Sequence, residues 1–196
     1  NKTMGTNFNR DLLWETETNQ SPFNNQTWTP KIFSEISLPY GFKFTTNFTM
    51  EEYNTRNLRY MNHEAGRGAD RGGMMLRKQT RTIMNTQQLL TWSREYDKHH
   101  VDAMVGHEYE DLHSELVQYA SADELLSGYV MPGNFTSRYD NIGGYENDKW
   151  ELDDYMLESY LGRANSIYDE KYYLSGSFRR DGSSKFIKEN RWGTFW

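Results

Sequence analysis

From about Thr27 onward, apolar and polar residues alternate with a period of two, and helical periodicity is nearly absent. The clearest run sets Phe42, Phe44, Thr46, Phe48 and Met50 against Lys43, Thr45, Asn47, Thr49 and Glu51. Successive side chains of a strand point to opposite faces, so this segment has one apolar and one polar face. The pattern predicts strands over about 27–38, 42–57, 77–96, 99–118, 152–168 and 171–181, with a seventh starting near 190.

Three of the predicted connections are very short: Pro39-Tyr40-Gly41, Asp97-Lys98 and Asp169-Glu170. The others, about 58–76, 119–151 and 181–189, are longer, so short and long links alternate. Short links force antiparallel neighbours, because a parallel pair needs a crossover of a dozen residues or more. The expected fold is an all-β, antiparallel up-and-down meander with tight turns at one end and long loops at the other. That asymmetry is typical of transmembrane β-barrels, with turns in the periplasm and loops outside. Predicted strands of about 16 to 20 residues, at roughly 3.3 Å each, reach past the apolar band of about 25 Å that such barrels present to lipid. Inside the long loop, Ser121-Ala122-Asp123-Glu124 has capping-box spacing and precedes Leu125, Leu126 and Gly128, which predicts a short loop helix.

Composition narrows the class. Only 36% of residues are hydrophobic, yet 15% are aromatic, including 14 Tyr, 10 Phe and 6 Trp. Disordered chains are poor in aromatics, so strands with one apolar face fit better. The net charge is -6, with Lys and Arg scattered, which leaves no footprint for nucleic acid. The absence of Cys removes disulfides, thiolate metal sites and a Cys nucleophile. No apolar run approaches the roughly 18 residues of a spanning helix, but barrel strands need only about 9 to 11 residues of alternating character. The first residues, Asn1-Lys2-Thr3, lack the basic and apolar character of a signal segment.

Candidate chemistry is sparse. Glu108 and Glu110 share a face with Asp102, Met104 and Gly106, and acids on a solvated strand face explain them without glycosidase chemistry. His107 and His113 lie on one strand about 20 Å apart and cannot share an ion, while His99-His100 sits at a turn. No catalytic triad order, phosphate loop or dinucleotide fingerprint is present, so no catalytic residue, metal or cofactor is expected. Tyr40, Trp92, Tyr96, Tyr168, Tyr172 and Tyr173 gather near strand ends, as interfacial aromatics do. The loop aromatics Tyr129, Tyr139, Tyr145 and Trp150 are candidate sugar or peptide contacts.

From Glu158 onward the sequence ESYLGRANSIYDEKYYLSGSFRRDGSSKFIKENRWGTFW resembles the signature barrel region of SusC/RagA-family TonB-dependent outer-membrane transporters. The segment Arg179 to Ser184 (RRDGSS) and the Arg191-Trp192-Gly193 restart follow in the family's order. A second match begins at His99-His100-Val101-Asp102 and continues through Gly106-His107-Glu108-Tyr109. Together these cover about a quarter of the chain, and Ile187 departs from the family's small residue.

The resemblance implies a 22-stranded barrel in the outer membrane of a Gram-negative, Bacteroidetes-type bacterium, enclosing a plug domain. It implies import of oligosaccharides or peptides with a SusD-like surface lipoprotein and TonB, and no enzymatic role. On this reading residues 27–196 are a partial barrel of about seven strands, the last one truncated. Residues 1–26 are a loop or a preceding barrel segment without a counterpart, and the plug lies outside this chain. Leu157, Leu161, Leu174 and Phe178 are expected to face outer-membrane lipid, and Leu174→Arg to be costly. Ser175, Ser177, Arg179, Glu108 and Glu110 are expected to face the lumen or plug, with Arg179 solvated or paired with plug carboxylates. A secreted β-rich carbohydrate-binding or glycoside-cleaving protein is the alternative, in which the apolar faces pack under a second sheet.

Overall fold

The computed structural model describes residues 12–65, 71–138 and 148–196. Its elements are α1 (Leu12–Thr18), β1 (Phe23–Trp28), β2 (Lys31–Ser37), β3 (Phe42–Met61), β4 (Gly73–Tyr96), β5 (His99–Glu124), β6 (Phe135–Arg138), β7 (Lys149–Tyr168), β8 (Tyr172–Ser183) and β9 (Trp192–Phe195). The nine strands form one antiparallel sheet in the order β1-β3-β4-β5-β7-β8-β9, with β2 also on β3 and β6 also on β5. The meander read from the turn spacing is present.

The strands differ from the sequence pattern at their ends. The first predicted strand is two, β1 and β2, because Pro30 has no N–H for a ladder and interrupts the edge. Its carbonyl still accepts from Met50 N–H at 3.1 Å, so both pieces stay on β3. β3, β4 and β5 each run four to six residues beyond the predicted limits, since 58–61, 73–76 and 119–124 find ladder partners despite their irregular hydropathy. The predicted loop helix at 121–128 is absent. Ser121 Oγ donates to Ser137 O at 2.8 Å instead of capping a helix, and Asp123 turns left-handed at φ 61°. The segment ends β5 and pairs with β6, with Ser121 opposite Arg138 and Glu124 opposite Phe135.

The chain divides into two compact units. The first comprises 1–27, 53–80 and 114–152, and holds the long connections 62–72 and 125–148. It has a core of Leu58, Tyr60, Met74 and Phe135, against which Leu76, Tyr119 and Val130 pack. The second comprises 28–52, 81–113 and 153–196, and contains all three tight turns. In these turns Tyr40, Asp97, Asp169 and Glu170 adopt positive φ, a conformation that Asp tolerates better than most residues. Gly41 is required where it stands: at φ 83° a Cβ would lie 2.3 Å from Ser93 O.

Candidate functional site: the two faces of the barrel wall

The pairing of β7 with β8 fixes which side chains share a face in the second unit. Tyr160, Gly162, Ala164, Ser166 and Tyr168 lie opposite Arg180, Phe178, Gly176, Leu174 and Tyr172. Ring contacts carry this face to β5: His99 lies 4.6 Å from Tyr168, and His107 5.0 Å from Tyr160, between ring centroids. Alternation then adds Val101, Ala103 and Val105.

Two aromatic rows bound this face. His99, Tyr168 and Tyr172 form one at the turn end, with Tyr168 and Tyr172 stacked at 6.3 Å. His107, Tyr160 and Trp192 form the other, with Tyr160 to Trp192 at 6.0 Å. Eight residues separate Tyr160 from Tyr168 on β7, about 26 Å of strand. Between the rows on β5, β7 and β8 stand Val101, Ala103, Val105, Gly162, Ala164, Ser166, Leu174, Gly176 and Phe178, with no charged side chain among them, while on β4 alternation from Trp92 puts Arg94 on the same face near the turn end. On β3 the same character continues in Phe44 and Phe48, which pair with Ile36 and Ile32, while Phe42 meets Trp92 at 6.2 Å. Trp92 Nε1 is satisfied by Tyr40 O at 3.1 Å.

The opposite face is polar and cross-linked. Asn47 Nδ2 donates to Gln87 Oε1 at 2.9 Å, and Gln87 Nε2 to Glu108 Oε1 at 2.6 Å. Arg179 Nη2 reaches Glu108 Oε2 at 3.3 Å and Ser159 Oγ at 3.2 Å, while its Nε binds Asp181 Oδ1 at 2.8 Å. One hydrogen-bonded row therefore crosses β3, β4, β5 and β8. Tyr155 OH donates to Glu110 Oε1 at 3.2 Å, and Ser175 Oγ to Asn165 Oδ1 at 2.8 Å. The sequence puts Ser175, Ser177, Arg179, Glu108 and Glu110 on polar strand faces, with Arg179 expected to be solvated or paired with plug carboxylates. The wall itself supplies carboxylates to Arg179, from Glu108 and Asp181. Asn47, Gln87 and Asp181 were missed as members, because alternation gives a face but not a cross-strand partner.

Leu157 and Leu161 are corrections. They lie opposite Ser183 and Arg179, so they share the polar face and not the face of Leu174 and Phe178. Leu161 lies over Gly106, where a Cβ would come 3.1 Å from Leu161 Cδ1 and 2.6 Å from Leu89 Cδ2. Three apolar residues thus form a small patch inside a polar face, which a hydropathy pattern reads as a change of side. Tyr173 is also on the polar face, paired with Ile167.

In the first unit, a buried carboxylate organises the ends of β3 and β5. The Glu124 side chain is fully buried; it accepts from Tyr60 OH, from Gly128 N–H at 3.0 Å and from His63 N–H at 3.2 Å, with His63 Nδ1 at 2.9 Å. Burial, and then the neighbouring carboxylate, push the Tyr60 phenol well above its usual range, which keeps it protonated as the donor. Buried Asn134 accepts from Leu126 N–H through Oδ1 and donates to the Leu126 and Tyr129 carbonyls. Tyr129 is exposed on this loop. Trp150 belongs to β7 rather than to a loop; it is 69% exposed, and its Nε1 donates to Glu115 at 3.1 Å. Tyr139 and Tyr145 lie outside the described residues.

At the same tip, Arg71 donates to both oxygens of Asp123, at 2.6 and 2.9 Å, and holds that carboxyl below the usual carboxylate range. A depressed folded pKa means the contact is fully present above the ordinary Asp value of about 3.9 and is lost only as pH falls through the lower, folded one. In an NMR titration the Asp123 carboxyl is expected to reach its midpoint below that value, and Arg71→Gln to return it there. An unshifted midpoint in the parent protein would contradict the ion pair.

On β5, β7 and β8 an uncharged strand face bounded by two aromatic rows, backed by a polar hydrogen-bonded face, is that of the wall of a transmembrane β-barrel. No protein-family model matches the chain. Over 175 residues the chain is 26% identical to TonB-dependent receptor P3 of Formosa agariphila, covering 86% of the chain and 16% of that receptor. It is 51% identical over 39 residues to the TonB-dependent receptor SusC of Bacteroides thetaiotaomicron, covering 20% of the chain and 4% of SusC. In three dimensions it matches a chain of the RagAB peptide transporter with a TM-score of 0.76 at 18% identity, over 91% of this chain and 20% of that one. The chain therefore spans a minor part of the length of each of these relatives. Its curated relatives are TonB-dependent receptors, SusC among them, and its sheet has the fold of a segment of the RagAB transporter.

Proposed function

We propose that the second unit is a membrane-spanning portion of the wall of an active outer-membrane importer. Its apolar face meets lipid, and its polar face lines the lumen against a plug. The observation that carries this reading is the charge-free band of β5, β7 and β8 between the two aromatic rows. The tight turns of this unit then lie in the periplasm. Cargo is an oligosaccharide or peptide, with Tyr129 and Trp150 among its outer contacts and with a SusD-like lipoprotein and TonB as partners. The role is passive and structural rather than enzymatic.

The alternative, a secreted β-protein with its apolar faces under a second sheet, is disfavoured by Leu174. It is 75% exposed, and the described strands form a single sheet. Single cysteines in the full-length protein in native membranes test the reading. Leu174→Cys and Phe178→Cys are expected to resist a water-soluble maleimide, while Ser175→Cys and Ser177→Cys react. The reverse pattern, or recovery of the protein in the soluble fraction, would overturn it.

A further inference from the structure

The two arginines of the RRDGSS segment leave the wall in opposite directions. Arg179 is bound by Glu108 and Asp181 on the polar face. Arg180 lies opposite Tyr160 on the apolar face, two residues beyond Phe178 and at the limit of the charge-free band. Its guanidinium lies 5.2 Å from the centroid of the Trp192 ring. Among the described residues it has no carboxylate partner. Glu158, two residues from Tyr160 on the same face, is taken by His107 Nε2 at 3.1 Å and Tyr160 OH at 2.7 Å.

The platform beneath Arg180 is built rather than accidental. Trp192 lies opposite Gly182, and a Cβ at Gly182 would sit 2.9 Å from three atoms of the indole. Glycine lets the ring lie flat against the strand, where it also meets Tyr160. A guanidinium stacked on an aromatic face loses little of its hydrogen-bonding edge, and that planar edge matches a phosphate bidentately. A cation at the rim of an apolar band reaches the headgroup layer while its stem stays against apolar surface.

We infer that Arg180, held on Trp192 over Gly182, is a binding site for the phosphate of an anionic lipid headgroup at the outer rim of the barrel. The inference rests on the lipid-facing assignment proposed above. It gives two residues of the signature segment a membrane-side task separate from the lumen.

The test uses the full-length receptor in nanodiscs of phosphatidylcholine mixed with phosphatidylglycerol, with native mass spectrometry reading the lipids retained. Arg180→Gln is expected to reduce the preference for phosphatidylglycerol about fivefold, the effect of one basic residue at an anionic surface. Gly182→Ala, which keeps the charge but displaces the indole, is expected to reduce it in part. Unchanged retention in Arg180→Gln, with Phe178→Cys still protected from the water-soluble maleimide, would overturn the headgroup site alone. Reactivity of Phe178→Cys would overturn the lipid-facing assignment and the site with it. Displacement of the lipid by millimolar inorganic phosphate would reassign Arg180 as a free-phosphate site and overturn the lipid inference.

Discussion

Ala164→Arg is expected to destabilise the full-length protein in a lipid bilayer by about 2 to 4 kcal/mol, the cost of an arginine on the lipid face at the midplane. Ala164 stands midway between Tyr160 and Tyr168 and pairs with Gly176, so it marks the centre of the charge-free band. Leu174→Arg, expected from the sequence to be costly, lies closer to the Tyr172 row. A depth-dependent penalty should make it the milder of the two. Asn165→Arg, one residue along on the polar face, should be nearly neutral because its side chain stays in a solvated, hydrogen-bonded environment. Reversible unfolding in bilayers gives all three numbers. Equal costs at 164 and 165 would show that the two faces do not differ in solvent.

The second large effect belongs to the loop-bearing unit. Glu124→Ala removes the acceptor shared by Tyr60, His63 and Gly128, and it leaves a phenol that is 1% exposed with one partner fewer. Deleting one partner of a buried, charged network costs about 3 kcal/mol. The loss should appear as local opening rather than global unfolding, because the network joins only the ends of β3 and β5 and the turn after β5. Hydrogen exchange of the Gly128 and His63 amides is therefore expected to accelerate by about two orders of magnitude, with strand amides of the second unit unchanged. Glu124→Gln, which keeps an acceptor of the same shape, should show much less. Unaltered exchange in Glu124→Ala would mean that the carboxylate does not hold the loop.

Alternation alone identified the strands around Phe42 to Met50 and the two faces of β8, because a period of two is written directly into the residues. The tight turns were equally legible, since Asp97-Lys98 and Asp169-Glu170 leave no room for anything but an antiparallel return. The split at Pro30 was readable in principle, from a residue that cannot donate to a ladder. Leu157 and Leu161 are apolar in character but odd in parity, and parity decides the face. The register opposite Ser183 and Arg179 puts both on the polar face, where Leu161 covers Gly106. Ser121 to Glu124 carried a sound helix-start signal that lost to tertiary partners. Ser137 claimed the hydroxyl, and Tyr60, His63 and Gly128 claimed the carboxylate.

By itself, then, the sequence determined the class of structure: long antiparallel strands, one apolar face each, and turns at one end with loops at the other. These are local properties, set by side-chain period and by how few residues a reversal needs. Tertiary structure alone decided which residues meet across strands. It joined Asn47, Gln87, Glu108, Arg179 and Asp181 into one polar row, and set His107, Tyr160 and Trp192 along one rim with Arg180 over the indole. Those pairings depend on register, and register is fixed by contacts between residues up to about 70 positions apart in the chain, which no local pattern contains.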